Sequence, residues 1–553
     1  MPLRQRMWDA LGESTDLLVI GGGITGSGIA RDAVRRGLRT ALVEMGDLAS
    51  GTSSRSSKLV HGGLRYLEQY EFSLVFEAVS ERRILMDIAP HLVNPLGFLF
   101  PVYKKSRRGL WMIEAGMWLY DGLSLFRSPK VHRTLKVPEV QREEPALQTQ
   151  GLTGAPLYYD CATDDARLTL ETALDAVNAG AVVVPYAKVV ELLKGGDGRV
   201  VGAVVQDVVS GARKEVRAHA VINATGPWTD ATVALGAGAG KELLRPTKGV
   251  HIVVPHDKLP VNHAVVALHP KDGRVLFAIP WGDRSYIGTT DTDYEGDPGE
   301  VAATRADVDY LIDAAAAYFP QHLLTHADVV STWAGLRRSW RRTRAATVSR
   351  RRRCRASTRS SSALTARHHR WRQAHHLPRM AAEVVDTAVN PLRLGNALPS
   401  RLSAPRTEEE PLPGAVGWPD DDDHDRVASP DRRGVGRHAR RAHGMAPRRH
   451  LRHARHRARA PGRRSAAGRS AVPGRPEIVG QVDWAVREEL ATRVLDVMVR
   501  RTQLYHRDLD QAHHAEVVAQ RMASLLGWDE ARLQEELGAY EREVARSRRW
   551  RQG

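Results

Sequence analysis

The sequence predicts an α/β protein built on a parallel sheet, with an inserted sheet of mixed or antiparallel strands and an all-helical C-terminal domain. Three observations carry this. Leu17–Ile20 is a short apolar run of strand character, followed by Gly21, Gly23 and Gly26 at G-x-G-x-x-G spacing and a helical pattern over Ile24–Arg36. Short β-rich runs recur over 181–219 and 248–290, punctuated by glycine turns. Residues 477–547 read as mostly helix.

The first observation is the most specific. Leu38–Glu44 follows the helix as a second strand and ends on an acid 23 residues after Gly21. In this setting Gly21 makes the tight turn, Gly23 lets backbone approach a pyrophosphate, and Gly26 lets helix and strand pack closely. The helix N-terminus offers free N–H groups to phosphate, and Glu44 can accept from a ribose hydroxyl. A Rossmann-like dinucleotide site is the expectation. The fingerprint alone does not separate NAD from FAD.

The next segment does. Asp47–Ser57 is a hydroxyl-rich loop, followed by Lys58, His61-Gly62-Gly63 and Arg65-Tyr66. With SSKLVHGGLRYLE, TDDARL, NATGPW, KGVHIVVP and IPWGDRSYIGTTDTDYEGDP in order, residues 14–337 resemble the FAD-dependent, quinone-linked glycerol-3-phosphate dehydrogenases. The resemblance implies FAD, held by Gly21, Gly23, Gly26, Glu44, Thr52, Ser53, Ser57, Lys58, His61 and Gly226. It places Arg65, Tyr66 and Arg337 at the substrate. His61 reads equally as a flavin-side polar group or a satisfied core histidine. No metal is expected.

Composition first points elsewhere. A net charge of +17 is a nucleic-acid signal. It is concentrated, however, in two windows. Residues 338–379 hold 14 Arg and no acid, and 424–470 hold 15 Arg with only Asp425 and Asp431. Taking those 29 Arg and two acids from 81 basic and 64 acidic residues leaves a net charge of −10. The windows lack apolar periodicity and read as basic low-complexity chain. The family likeness stops after Trp333–Arg337 and resumes at Met380. One back-translation of Trp371–Pro378, read one base later, gives Gly-Gly-Lys-Leu-Thr-Thr-Tyr, the family's glycine–lysine motif near flavin and substrate. Both windows, 338–379 and about 424–475, are therefore read as out-of-frame translation. A basic nucleic-acid-binding segment is the competing reading; salt-dependent DNA retention would mark it.

The remaining elements follow in order. Met1–Thr15 is a short lead. Glu68–Ile88 has helical spacing and reads as a surface helix. Leu110–Phe126 is strongly apolar and reads as a core or dimer-contact helix, or as a surface that dips into a membrane. Asp164 and Asp165 open a helix, where acids suit the dipole, and Asp165 and Arg167 suit a cap and salt bridge as well as a ligand contact. Ala181–Pro185, Val189–Leu193, Val200–Val208 and Lys214–His219 read as the strands of a small inserted sheet, with Gly195–Gly198 as a hairpin turn. Ala220–Gly226 is a strand ending in a turn against the cofactor. Lys248–Val254, Val275–Pro280 and Ser285–Thr290 form the substrate-domain floor, and Ala303–Phe319 an amphipathic helix. Residues 395–423 read as linker.

This divides the chain into a FAD-dependent oxidoreductase region over 1–395, a linker and aberrant segment over 396–475, and a C-terminal helical remnant over 476–553. Two cysteines, Cys161 and Cys354, exclude a disulfide scaffold and suit a reducing compartment. No signal segment or apolar run long enough to span a bilayer is visible. The expected location is cytoplasmic, with the inner membrane face as a site of peripheral attachment. The expected activity is oxidation of sn-glycerol 3-phosphate to dihydroxyacetone phosphate, electrons passing to quinone, in a homodimer with no specific nucleic-acid partner. An amino-acid or glycine oxidase-like flavoprotein and a disabled product of a frameshifted gene are the alternatives. The family's lysine, and an arginine before it, have no counterpart as the chain is written.

Overall fold

The computed structural model describes residues 1–63, 72–106, 108–123, 130–237, 243–340, 364–365, 377–394, 402–418, 479–508 and 514–552. Arg65 and Tyr66, most of the 338–379 window and all of the 424–475 window lie outside the described residues.

Ser14–Ile20 is the central strand of a seven-stranded sheet. It pairs in parallel with Thr40–Glu44 on one side and Arg213–Asn223 on the other, and Val182–Pro185 lies parallel beyond Thr40–Glu44. The strand is apolar without alternation because both of its faces are covered. Leu17 and Val19 enter a core with Ile29, Ala33 and Leu174, from the helices Ile24–Arg35 and Asp165–Asn178. Leu18 and Ile20 enter a second core with Trp8, Val189 and Ala203. The short lead thus contains a helix, Leu3–Ala10, fixed by Arg4 donating to Asp207 at 2.6 Å.

The strands expected as a separate small sheet are part of this same sheet. Lys214–His219 and Ala220–Asn223 are one long strand. Its last seven residues pair with Ser14–Ile20, and Arg213–Arg217 pairs with the antiparallel hairpin Ala187–Lys194/Val200–Asp207. A single strand of this length serves both neighbours, so no boundary separates them.

The second sheet has eleven strands among the described residues. Leu244–Pro255 lies within it, antiparallel to Arg284–Gly288 and to Ser331–Trp340. Val275–Trp281 and Arg284–Gly288 form the expected hairpin around Gly282. The helix Arg305–Tyr318, capped by Thr304, covers the sheet through Val308 and Leu311.

The stretch from Ala381 to Leu394 is helical as its sequence predicts, and the stretch read as linker departs from the expectation. Leu377–Leu394 is a helix whose Ala381, Val385 and Ala388 pack into the core of the first sheet. Residues 402–418, read as linker, are docked on that domain: Arg31 donates to the carbonyls of Thr407 and Glu410, and Leu412 is buried. Leu364–Thr365, inside the first aberrant window, lies parallel to Ile222-Asn223. The C-terminal helices Val479–Glu488, His514–Leu526 and Glu530–Ser547 enclose a core of Val482, Val486, Met498, Met522 and Tyr540.

Candidate active site

A cavity of about 740 Å³ runs from the glycine turn of the first sheet to the floor of the second. Ligand sites of this size are typical of small-molecule and cofactor pockets. At one end Gly21, in a positive-φ conformation, follows the central strand, and its N–H donates to Val43 O at 2.8 Å. A side chain there would stand 2.6 Å from Ala224 O, and a Cβ on Gly26 only 1.9 Å from Gly21 O. Only glycine permits this turn and this approach of the helix to it. A Cβ on Gly23 would crowd Ser53 Oγ at 3.1 Å.

Glu44 sits where the ribose acid was expected. Its two carboxylate oxygens accept from Gly22 N at 2.6 Å and Gly46 N at 2.8 Å, which fixes its orientation. Burial raises its pKa against those two N–H bonds. Each oxygen retains acceptor capacity for a ribose hydroxyl. Ser53 Oγ accepts from Ile24 N at 2.9 Å, and Thr52 Oγ1 donates to Leu336 O at 2.8 Å, tying the hydroxyl loop to the start of the Ile24–Arg35 helix and to the second sheet. Gly226, also at positive φ, lines the cavity beside Trp228.

At the other end the cavity is lined by Ser57, His61, His251 and Arg337. Gly62 N donates to Asp160 at 3.0 Å, which holds the turn carrying His61. His251 shares a 2.9 Å hydrogen bond with Ser57 Oγ and stacks on Trp333, ring centroids 4.8 Å apart. Trp333 in turn donates to Ser56 O at 3.0 Å. Burial, then nearby Asp160 in opposition and Arg337, set His61, whose pKa lies below its ordinary value. His251 is driven well below it by burial, Arg337 and Lys58. Both rings are therefore neutral at pH 7.

Among the expected cofactor residues, Lys58 is placed differently. It does not line the cavity; its ammonium is buried against Asp165 at 2.7 Å and lies 5.4 Å from the Trp333 ring. Asp165 pairs with Lys58 and also lines the cavity, and Arg167 pairs with Glu489 at 2.6 Å. His251, Trp333, Thr289 and Trp228 escaped the sequence reading as site residues. His251 and Trp333 are paired across Leu244–Pro255/Ser331–Trp340, Thr289 follows Arg284–Gly288, and Trp228 ends the turn after Arg213–Asn223. The available signals were His251, a polar residue within an apolar strand, and Trp228, in the NATGPW motif.

A glycine turn too tight for any side chain, an oriented acid and a long cavity ending in neutral imidazoles define a dinucleotide-dependent oxidoreductase. The sequence model of the FAD dependent oxidoreductases matches residues 16–373, and that of the C-terminal domain of alpha-glycerophosphate oxidase matches 405–533. Glycerol-3-phosphate dehydrogenase 2 of Mycobacterium tuberculosis is 49% identical over 332 residues, 60% of this chain and 56% of that protein. Alpha-glycerophosphate oxidase of Streptococcus pyogenes is 43% identical over 327 residues, 58% of this chain and 53% of that protein. The matched part thus spans about half the length of these curated relatives. The glycerol-3-phosphate dehydrogenase of Bacillus halodurans, solved in complex with FAD, superposes with a TM-score of 0.75 at 30% identity, covering 98% of this chain and 97% of that one. The chain belongs to the FAD-dependent glycerol-3-phosphate dehydrogenase family, and its cofactor is FAD.

Proposed function

We propose that the protein oxidises sn-glycerol 3-phosphate to dihydroxyacetone phosphate. The observation that carries this reading is the far end of the cavity, where Arg337 faces two neutral histidines. A phosphorylated alcohol needs a cation for its phosphate and a neutral base for its hydroxyl proton. Arg337 supplies the first and the His61/His251 pair the second, and the family resemblance adds Arg65 and Tyr66 as substrate residues. Gly21, Gly23, Gly26, Glu44 and Gly226 hold FAD, which when bound supplies the hydride acceptor. Ser57 and Trp333 keep the His251 ring in one orientation.

Quinone as acceptor, peripheral contact with the inner membrane face and a homodimer belong to the same proposal, as does the division at about 395 and 476. Support for the membrane contact comes from the helix Leu110–Leu123. Trp111, Met112, Trp118 and Leu119 are 71, 43, 55 and 45% exposed and share one stripe at helical spacing. Lys104 and Lys105 are exposed just before it. Tryptophan with flanking cations suits an anionic lipid interface. Among the described residues no helix is long and apolar enough to cross a membrane.

The test is anaerobic addition of glycerol 3-phosphate to the FAD-loaded protein. Bleaching of the oxidised flavin band supports the reading. A flavin left oxidised by glycerol 3-phosphate yet reduced by glycine or another amino acid would replace it with the oxidase-like alternative.

A further inference from the structure

The C-terminal segment touches the cofactor domain at several buried places, and one of them is wired to the glycine turn. Arg500 and Arg501, adjacent on the segment Asp496–Arg501, both donate to the carboxylate of Asp47. Arg501 adds a second bond to Asp47 Oδ1 at 2.9 Å and one to Glu489 O at 2.8 Å. The Asp47 side chain is wholly buried. Asp47 opens the loop that presents Ser50–Ser53 to the cavity, and Ala49 within that loop donates to Gly22 O at 3.0 Å.

A second strand of the same wiring starts at Asp496. Its Oδ2 accepts from the Thr492 and Arg493 amides at 2.8 Å each, and its Oδ1 from Arg500 at 2.8 Å and from Tyr186 Oη at 2.5 Å. Tyr186 N donates to Gly46 O at 2.8 Å, Gly46 N to Glu44, and Glu44 accepts from Gly22 N. A continuous path therefore joins Asp496 to Glu44, the acid expected at the ribose, and to Gly22, between the first two glycines of the fingerprint.

We propose that Arg500 and Arg501 are positioning residues for the cofactor: docking of the C-terminal segment onto Asp47 holds the 46–53 loop and Glu44 in the FAD-receiving arrangement, so that segment docking and FAD affinity are coupled. Two guanidinium groups on one buried carboxylate exceed what anchoring a surface domain requires. Their target is the root of the cofactor loop and not a neutral scaffold position. Removing Arg501 leaves Asp47 with Arg500 alone, and the buried charges beside that loop are no longer balanced. Thermodynamic linkage then requires the converse: FAD must tighten the segment's docking by the same factor.

The inference rests on the FAD assignment and is tested on the full chain. FAD affinity is measured by quenching of flavin fluorescence for the wild type, Arg501→Met, Arg501→Lys and the control Arg521→Met. Arg521 pairs with Asp483 within the C-terminal segment, away from the cavity. Arg501→Met is expected to weaken FAD at least tenfold and Arg501→Lys to recover part of that loss, with Arg521→Met unchanged. Should Arg501→Met not fold, amide hydrogen exchange over 489–503 in the wild type decides. Exchange slowing on FAD addition supports the coupling. Exchange indifferent to FAD, or a folded Arg501→Met chain with wild-type affinity, overturns it. A wild-type chain that takes up no FAD removes the cofactor assignment and the coupling with it.

Discussion

Arg167 donates to Glu489 across 2.6 Å, with the two side chains 14 and 2% exposed. It thereby ties the first turn of Asp165–Asn178, a helix of the cofactor domain, to the C-terminal segment more than 300 positions on. Burial would push the guanidinium's pKa down, but Glu489 and Glu171 more than offset it, and the guanidinium stays charged. Arg167→Met leaves Glu489 buried without its partner. A loss of about 3 kcal/mol is expected, the usual scale for breaking one side of a buried pair. Urea unfolding checks it, and a loss under 1 kcal/mol would show that water reaches the site.

The glycine turn gives the sharpest sequence-to-structure link. Gly26→Ala puts a methyl group 1.9 Å from Gly21 O, and backbone cannot yield that distance without moving the helix off the strand. Purified Gly26→Ala protein is expected to carry less than a tenth of the wild-type flavin. Stoichiometric flavin in that variant would mean the helix can shift at little cost.

This link was legible because local rules decide it. A strand, a turn that only glycine can make and an acid at fixed spacing follow from short-range sterics. The hairpins at Gly195–Gly198 and Gly282 were legible for the same reason. Long-range partners were not. Lys58 sits in a motif that points to the cofactor, yet Asp165, 107 positions later, captures its ammonium. The linker reading of 402–418 failed because its acidic, proline-bearing composition resembles solvated chain. What docks it is Arg31, a buried cation on another helix, whose donors need the carbonyls of Thr407 and Glu410.

His251 and His506 both touch Trp333 and both have pKa values well below the ordinary value, chiefly through burial. The sign follows from linkage. Above about pH 6.5 neither state binds the protons and the histidines cost nothing. Below it the unfolded chain binds protons that the folded chain refuses, so stability falls as pH falls, by up to about 1.4 kcal/mol per pH unit for each histidine until its folded pKa is reached. Thermal melts from pH 7.5 to 5 should show this slope, and it should shrink in His506→Gln. A melt that is flat across this range would show that the rings are solvated. The acid limb of kcat/KM should likewise fall below pH 6.5, because the neutral rings persist there.

The exposed stripe of Leu110–Leu123 has a packed inner side: Tyr120 is buried and donates to Asp160 at 3.0 Å, the same carboxylate that holds the Gly62 amide. Substituting the outer residues should therefore leave the His61 turn in place. Trp111→Ser combined with Trp118→Ser is expected to lower binding to vesicles containing anionic lipid at least tenfold, with FAD content unchanged. A wild-type chain that ignores such vesicles and loses self-association in the double variant would assign the stripe to a second copy of the chain.

The last prediction concerns the reading frame. The proposed site draws its cation from Arg337, at the very edge of the first Arg-rich window. The window's Leu364–Thr365 pairs beside Ile222-Asn223, at the sheet that holds the glycine turn. A Gly-Gly-Lys turn at Trp371–Gln373, as the shifted frame gives, would supply backbone able to approach the flavin closely and a second cation for a phosphate. Resequencing the DNA from Leu336 to Gly480 is the direct check. If compensating insertions or deletions are found, the corrected protein should reduce its FAD with glycerol 3-phosphate, at least a hundredfold faster than the chain as written. If the DNA stands, engineering the frame shift over residues 338–379 should raise that rate by the same margin. A corrected chain no faster than the present one would mean that Arg337 and the two neutral histidines already complete the site.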